Sequence, residues 1–358
     1  MPFRVKKILA VSFVLCSLMP AFAQRRVAVL LPFGSGGAMQ ESMVEFYRGF
    51  LMAADSVRSL GQTLEIHALD AGTNTSQLDE ILRSGELREM DFVIGPGVAA
   101  QTDALADYCH RHGIRLVMPF NTPYASLPSN PSVYQAIASP EVQTQFALQL
   151  VMENFADAHF VFLKTNNYNE RGVALQNALR QQLEQFGVSF SNLNVNADDL
   201  ALDRAMSITR RNVILLDSPA EPALQHAAGV LKRFQDANPG YKLSLLGYPD
   251  WLERAEAYSA VFHSLDTYIF TTFYSNPLSG RTIRFRRQYE DFFHAEMPSQ
   301  SPSLCMTGFD LGLALLLDNV SPLQNGYRFI QVDGQGGYVN GFVELVHYSP
   351  NRLISVIR

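Results

Sequence analysis

Arg26-Val-Ala-Val-Leu-Leu31 decides the fold class. An unbroken apolar run that stops at Pro32 reads as a strand buried on both faces, the signature of a parallel sheet rather than of a half-solvated antiparallel one. A glycine-rich loop, Gly34 to Gly37, follows it. Met43, Tyr47, Phe50, Ala54 and Val57 then recur at steps of three and four, which is one face of a helix, and Gly61 stops it. The alternation continues outward. Leu64 to Ala68 is a strand, Ser76 to Arg83 a helix, and Phe92-Val-Ile94 a strand closed by Gly95-Pro96. A helix from Gln101 to His112 ends at Gly113, and Arg115 to Met118 is a strand closed by Pro119. Strands alternating with helices build a doubly wound α/β layer.

Between Pro119 and Pro140 the periodicity stops, and prolines at 123, 128, 131 and 140 mark a first hinge. A second βα series begins beyond it. Helices are expected at 142–155, 171–186 and 220–237, and strands at 160–163, 213–216, 243–246 and 268–270. The tail adds helices at 284–293 and 306–317 and two short alternating segments at 341–347 and 353–356. The expected fold class is therefore α/β: two doubly wound parallel-sheet lobes joined by a three-crossover hinge. The expected division is 24–136 plus 275–326 for the first lobe and 137–274 plus 327–358 for the second. No internal repeat is visible between them.

The chain has 358 residues, is 47% hydrophobic and 17% charged, and carries a net charge of -6. That composition is too apolar for disorder, and no basic block could track a phosphate backbone, so nucleic acid is not an expected partner. Residues 1–23 read as an export signal: Arg4, Lys6 and Lys7, an apolar run from Ile8 to about Leu18, and Ala21-Phe22-Ala23 for cleavage after Ala23. Leu15 before Cys16 argues against a lipoprotein. Removal of residues 1–23 takes away three positive charges, moving the net charge from -6 to -9, and leaves no later segment able to span a membrane. The expected compartment is the periplasm. Cys109 and Cys305 remain, either paired by an oxidising compartment or standing as two buried thiols.

A set of segments along the whole remaining chain carries a family resemblance. They are Val27 to Phe33, Phe46 to Ser56, Asp91 to Pro96, Ile114 to Phe120, Thr272-Phe-Tyr274, Gly308-Phe-Asp310 and Gly337-Tyr-Val-Asn340. In order and spacing they resemble the type I periplasmic binding proteins, the fold of leucine/isoleucine/valine-binding proteins and receptor ligand-binding domains. More narrowly they resemble a Bacteroidetes-type subgroup found behind LysM repeats, which this chain lacks.

The resemblance implies a small ligand in the interlobe cleft, beyond the carboxyl ends of the strands. It also implies a membrane permease or an envelope protein as partner. The loops it selects contain Ser35, Gln101, Asn121, Thr122, Tyr168, Ser218, Tyr248 and Asp250 as ligand-binding candidates. Thr122 matches a family hydroxyl, Tyr168 a family aromatic, and Asp250 lies near the acid that meets an α-amino group. Val98, Ala99 and Ala100 stand where amino-acid binders place hydroxyls for the ligand carboxylate. Asp250 also reads as a helix N-cap, with Trp251 opening the helix.

No catalytic, metal or cofactor residues are expected. Gly34-Ser-Gly-Gly37 lacks the Gly-Lys-Ser/Thr ending of a phosphate loop, and Phe33 stands where a nucleophile elbow needs glycine. His110 and His112 are two residues apart and point to different helix faces. Two functions remain in view: capture of a small polar metabolite, amino-acid-like, for transport or sensing, and regulation of envelope or cell-wall machinery by the same fold with a degenerate cleft.

Overall fold

The computed structural model describes residues 24–120, 124–317 and 320–358. Residues 1–23, read as an export signal, and the candidates Asn121 and Thr122 lie outside them. In chain order the first lobe begins with β1 (Arg25–Leu31), α1 (Gly37–Ser59), β2 (Leu64–Asp70), α2 (Thr75–Ser84), β3 (Phe92–Ile94), α3 (Thr102–His112), β4 (Arg115–Met118) and β5 (Val133–Gln135). The second follows with α4 (Pro140–Asn154), β6 (His159–Lys164), α5 (Glu170–Gln185), β7 (Phe190–Asn194), α6 (Asp199–Ala205), β8 (Arg211–Leu216), α7 (Glu221–Ala237), β9 (Lys242–Gly247), α8 (Ala255–Ser264) and β10 (Thr267–Thr271). The chain then returns through α9 (Gly280–Phe293), α10 (Leu304–Leu316), β11 (Phe329–Gln331) and β12 (Tyr338–Asn340), and ends with β13 (Glu344–Tyr348) and β14 (Ile354–Ile357).

Two seven-stranded sheets result, in the orders β11-β12-β5-β4-β3-β1-β2 and β14-β13-β10-β9-β8-β6-β7. The five-strand parallel cores, 5-4-3-1-2 and 10-9-8-6-7, share one topology. The reversal of strand order beside β1 and β6 sends crossover helices to both faces. As the apolar run requires, Val27 to Leu31 are fully buried between β2 and β3.

One boundary differs from expectation. β11 and β12 join the first sheet, with β12 parallel to β5 and Tyr338 opposite Tyr134, so the last crossing falls at 341–343 rather than near 326. The aromatic stack of Tyr134 on Tyr338, with centroids 4.3 Å apart, is the packing that holds this pair there. β5, β7, α6 and α8 also stand where the sequence showed no clear period. Asp198 caps α6 by accepting from Ala201 N–H at 2.8 Å, a local role for what reads in the sequence as a solvated acidic pair.

Close backbone approach joins α1 to α10. A Cβ on Gly49 would lie 1.8 Å from the Cys305 carbonyl oxygen, and one on Gly308 would lie 1.9 Å from that of Phe46. Cys109 and Cys305 are both buried and unpaired, in separate clusters. Burial pushes the Cys109 thiol up to about 12 and Cys305 upward as well, which keeps both from reacting as thiolates. Among the described residues no helix is long and apolar enough to cross a membrane.

Candidate functional site

The carboxyl ends of the two sheets behave differently. On the first lobe the candidates in the described loops after β1 and β3 bond to neighbouring backbone. Ser35 Oγ donates to the Pro32 carbonyl at 3.0 Å. Gln101 is fully buried, and its Nε2 donates to the carbonyls of Ala71 at 2.6 Å and Asn74 at 2.7 Å. Gln101 therefore pins the loop after β2 from inside instead of reaching a cleft ligand. Phe33 lies against Tyr47 and Phe46 against Phe120, with ring centroids 5.3 and 5.2 Å apart, so this wall is aromatic.

On the second lobe one expected residue, Ser218, is also spent internally. Ser218 is fully buried, its Oγ accepting from Ala220 N–H at 3.2 Å. Beside it, the Asp217 carboxylate accepts from Thr165 N–H at 2.9 Å and Thr165 Oγ at 2.7 Å, tying the loops after β6 and β8 together. Tyr168 is 79% exposed and borders a separate depression of about 480 Å³ with Lys164, Arg180 and Asn194.

Tyr248 lines a larger pocket of about 830 Å³, and Asp250 is linked to it only through Arg171. Its walls are the first turns of α4 and α5, and its floor includes Tyr248 and Phe270. Two interlobe crossings line it, through Thr272 and Phe273 in the second and Val343 in the third, and the first leads into it at Pro140, where α4 begins. Tyr248 is buried, with its hydroxyl donating to the Leu216 carbonyl, and burial raises that hydroxyl far above its usual pKa. Asp250 stands in the first turn of a short 3-10 segment, Pro249–Arg254, and pairs with Arg171 on the pocket rim. It is not the N-cap, because Tyr248 holds that position without a side-chain bond.

The local sequence builds the charged rim. Asn169 caps α5, accepting from Gly172 N–H at 3.0 Å, so Glu170 and Arg171 open that helix at the pocket mouth. Ser139 caps α4, and its hydrogen bond to Glu141 holds that carboxyl below its ordinary value. Glu141, Glu170 and Arg171 are site residues the candidate set did not contain. Their signal was present, as Ser139-Pro-Glu141 and Asn169-Glu-Arg171 are both helix starts. Among the described residues no group of three or more His, Cys, Asp or Glu could hold a metal.

The hinge beside the pocket is stitched by Asn340. Its Nδ2 donates to Ala136 O at 3.1 Å and Gly326 O at 3.0 Å, while its Oδ1 accepts from Arg328 N–H and Phe342 N–H at 2.8 and 3.0 Å. First and third crossings are thus held side by side.

Two sheets of one topology, three crossings and a pocket at the crossing end set the comparison with known structures. A putative branched-chain amino acid ABC transporter from Rhodospirillum rubrum superposes with a TM-score of 0.57 over 93% of this chain and 100% of that one, at 13% identity. The chain has the type I periplasmic binding protein fold. The same fold appears in the C-domain of LpoA from Haemophilus influenzae, a regulator of PBP1A, with a TM-score of 0.53, 14% identity and coverage of 93% and 100%. No protein-family model and no curated protein matches the chain. At such identities the likeness speaks for the type I fold and for no narrower subgroup.

Proposed function

We propose that this is an exported binding protein that takes a small ligand with an apolar body and charged ends, an amino acid or short peptide, into the second-lobe pocket and closes its lobes over it. One observation carries the reading: the pocket is lined by the second and third crossings and by the helix start that follows the first, so a ligand there contacts segments that must move when the lobes close. Its volume lies in the range of small-molecule sites. Arg171 supplies a guanidinium for a carboxylate, and Glu141 and Glu170 supply carboxylates for an ammonium. The transporter protein from R. rubrum uses the same fold, and a membrane permease or sensor is the matching recipient. The test is a melting series of the protein with amino acids, dipeptides, nucleosides and wall fragments. A true ligand at 100 times its dissociation constant adds about 2.7 kcal/mol.

A second reading, an envelope regulator without a small ligand, is favoured by the inward bonding of Ser35, Gln101 and Ser218 and by the fold shared with the LpoA domain. Capture of an envelope enzyme by a protein whose melting no metabolite moves would favour it over uptake.

A further inference from the structure

The helix α9 carries its charges in the order that its own dipole disfavours. Arg281, Arg284, Arg286 and Arg287 occupy its first half, and Glu290 and Asp291 its end. Cations at a helix N-terminus and anions at its C-terminus both oppose the aligned peptide dipoles. Nor are the charges spent within the helix. Arg286 and Glu290, and Arg287 and Asp291, have i,i+4 spacing, yet no ion pair among the described residues includes any of Arg284, Arg286, Arg287, Glu290 or Asp291. Arg281 alone is engaged, donating to the Ser321 and Pro322 carbonyls. Thr282, Phe285 and Tyr289 bury the inner face. On the outside, Ile283 is 40% exposed and Leu278, just before the helix, 84% exposed.

This arrangement is self-complementary. Arg284 and Asp291 are seven residues apart, two turns along one stripe. A second copy of α9 laid antiparallel about a two-fold axis near residue 287 exchanges their heights, bringing Arg284 of each copy opposite Asp291 of the other. The same pairing sets the arginine end of each helix beside the negative end of the other dipole, so the order that costs stability in one chain becomes favourable in two. We propose that α9 is the contact helix of a homodimer formed by this antiparallel pairing, with Ile283 of each copy beside Phe292 of the other, 49% exposed in the single chain, supplying the apolar contact. One helix pair is smaller than a standard interface, so the dimer is weak and strongly salt-dependent.

Sedimentation velocity over a concentration series at low and high salt tests it. The expected result is a reversible monomer–dimer equilibrium that salt weakens. R284E/R287E and E290R/D291R each raise the dimer dissociation constant by about tenfold or more, and the fourfold swap that combines them restores it. Far-UV circular dichroism confirms that each variant is folded. A wild-type monomer at every concentration in low salt overturns the proposal, as does a dimer indifferent to R284E/R287E. Flotation with acidic phospholipid vesicles, abolished by R284E/R287E in a protein that stays monomeric, assigns the arginines to a membrane surface and overturns it as well.

Discussion

The two lobes are built on the same strand order and differ in what they do with the carboxyl ends of those strands. In the first lobe the described candidate side chains, Gln101 and Ser35, bond to neighbouring backbone, and Phe33 and Phe46 stand in aromatic pairs. The second lobe leaves an opening between α4 and α5, rimmed by Glu141, Glu170 and Arg171. Identical topology thus fixes where a site can lie, and side chains at helix starts decide which lobe carries it. The added strands differ too. β12 joins the first sheet parallel to β5, while β13 joins the second antiparallel to β10.

The largest test of this contrast is in the first lobe's rigid seam. Gly308→Val places side-chain atoms where the Phe46 carbonyl stands and costs about 3 kcal/mol or more in a denaturant melt. Trp251, the one tryptophan of the chain, is buried in the second lobe with its Nε1 donating to Pro219 O at 2.9 Å. Its fluorescence therefore reports that lobe alone. Loss of helical signal before the Trp251 transition would sharpen the division, and a single unchanged transition would break it.

Next in size is Asp310 on α10, whose carboxylate accepts from the N–H groups of Leu323, Gln324 and Asn325 at 2.7, 2.8 and 2.8 Å. Asp310→Asn turns an amide donor toward those donors and costs about 1–3 kcal/mol. Burial raises this carboxyl from 3.8 to about 7 against the pull of the three bonds. A folded pKa above the unfolded one means the native state keeps a proton that the unfolded chain has lost. The Asp310 contribution is full below pH 3.8 and fades as pH climbs to about 7. Melts of the wild type should fall across that window, and those of Asp310→Asn should lack the slope.

Smaller still, Tyr248→Phe removes the buried bond to Leu216 O and lowers second-lobe stability by about 1 kcal/mol, read from the Trp251 transition. Arg171→Ala breaks only an exposed pair with Asp250 and changes stability by less than about 0.5 kcal/mol. An Arg171→Ala protein as stable as wild type but deficient in ligand would mark the rim as binding machinery.

Much of the fold was legible because burial writes itself into runs and periods. Val27 to Leu31 reads as a core strand, and β3 and β4 fall on the residues expected of them. β7 was not legible: Phe190-Ser-Asn-Leu-Asn194 is an edge strand with only Leu193 buried, so no apolar period marks it. β11 and β12 escaped for a related reason, being three residues each and held by stacking of Tyr134 on Tyr338 across a gap of 204 positions that no local pattern encodes.

The site was legible in part. Position after a strand end selects loops: Tyr248 lines the pocket, and Asp250 pairs with Arg171 of its lining. It does not select side-chain direction. Gln101 and Ser218 occupy the right loops and turn inward, where three carbonyls and a neighbouring N–H bond them.

The proposal at the centre is that a small ligand sits in the second-lobe pocket and pairs with Arg171. Titration of wild type and Arg171→Ala with amino acids and dipeptides, followed by Trp251 fluorescence, tests it most directly, since Trp251 lies against Tyr248 with ring centroids 5.7 Å apart. The account predicts a saturable change with at least one zwitterionic ligand and an affinity about tenfold weaker in the variant. A ligand that binds both proteins equally, or a fluorescence that none of them alters, would contradict it.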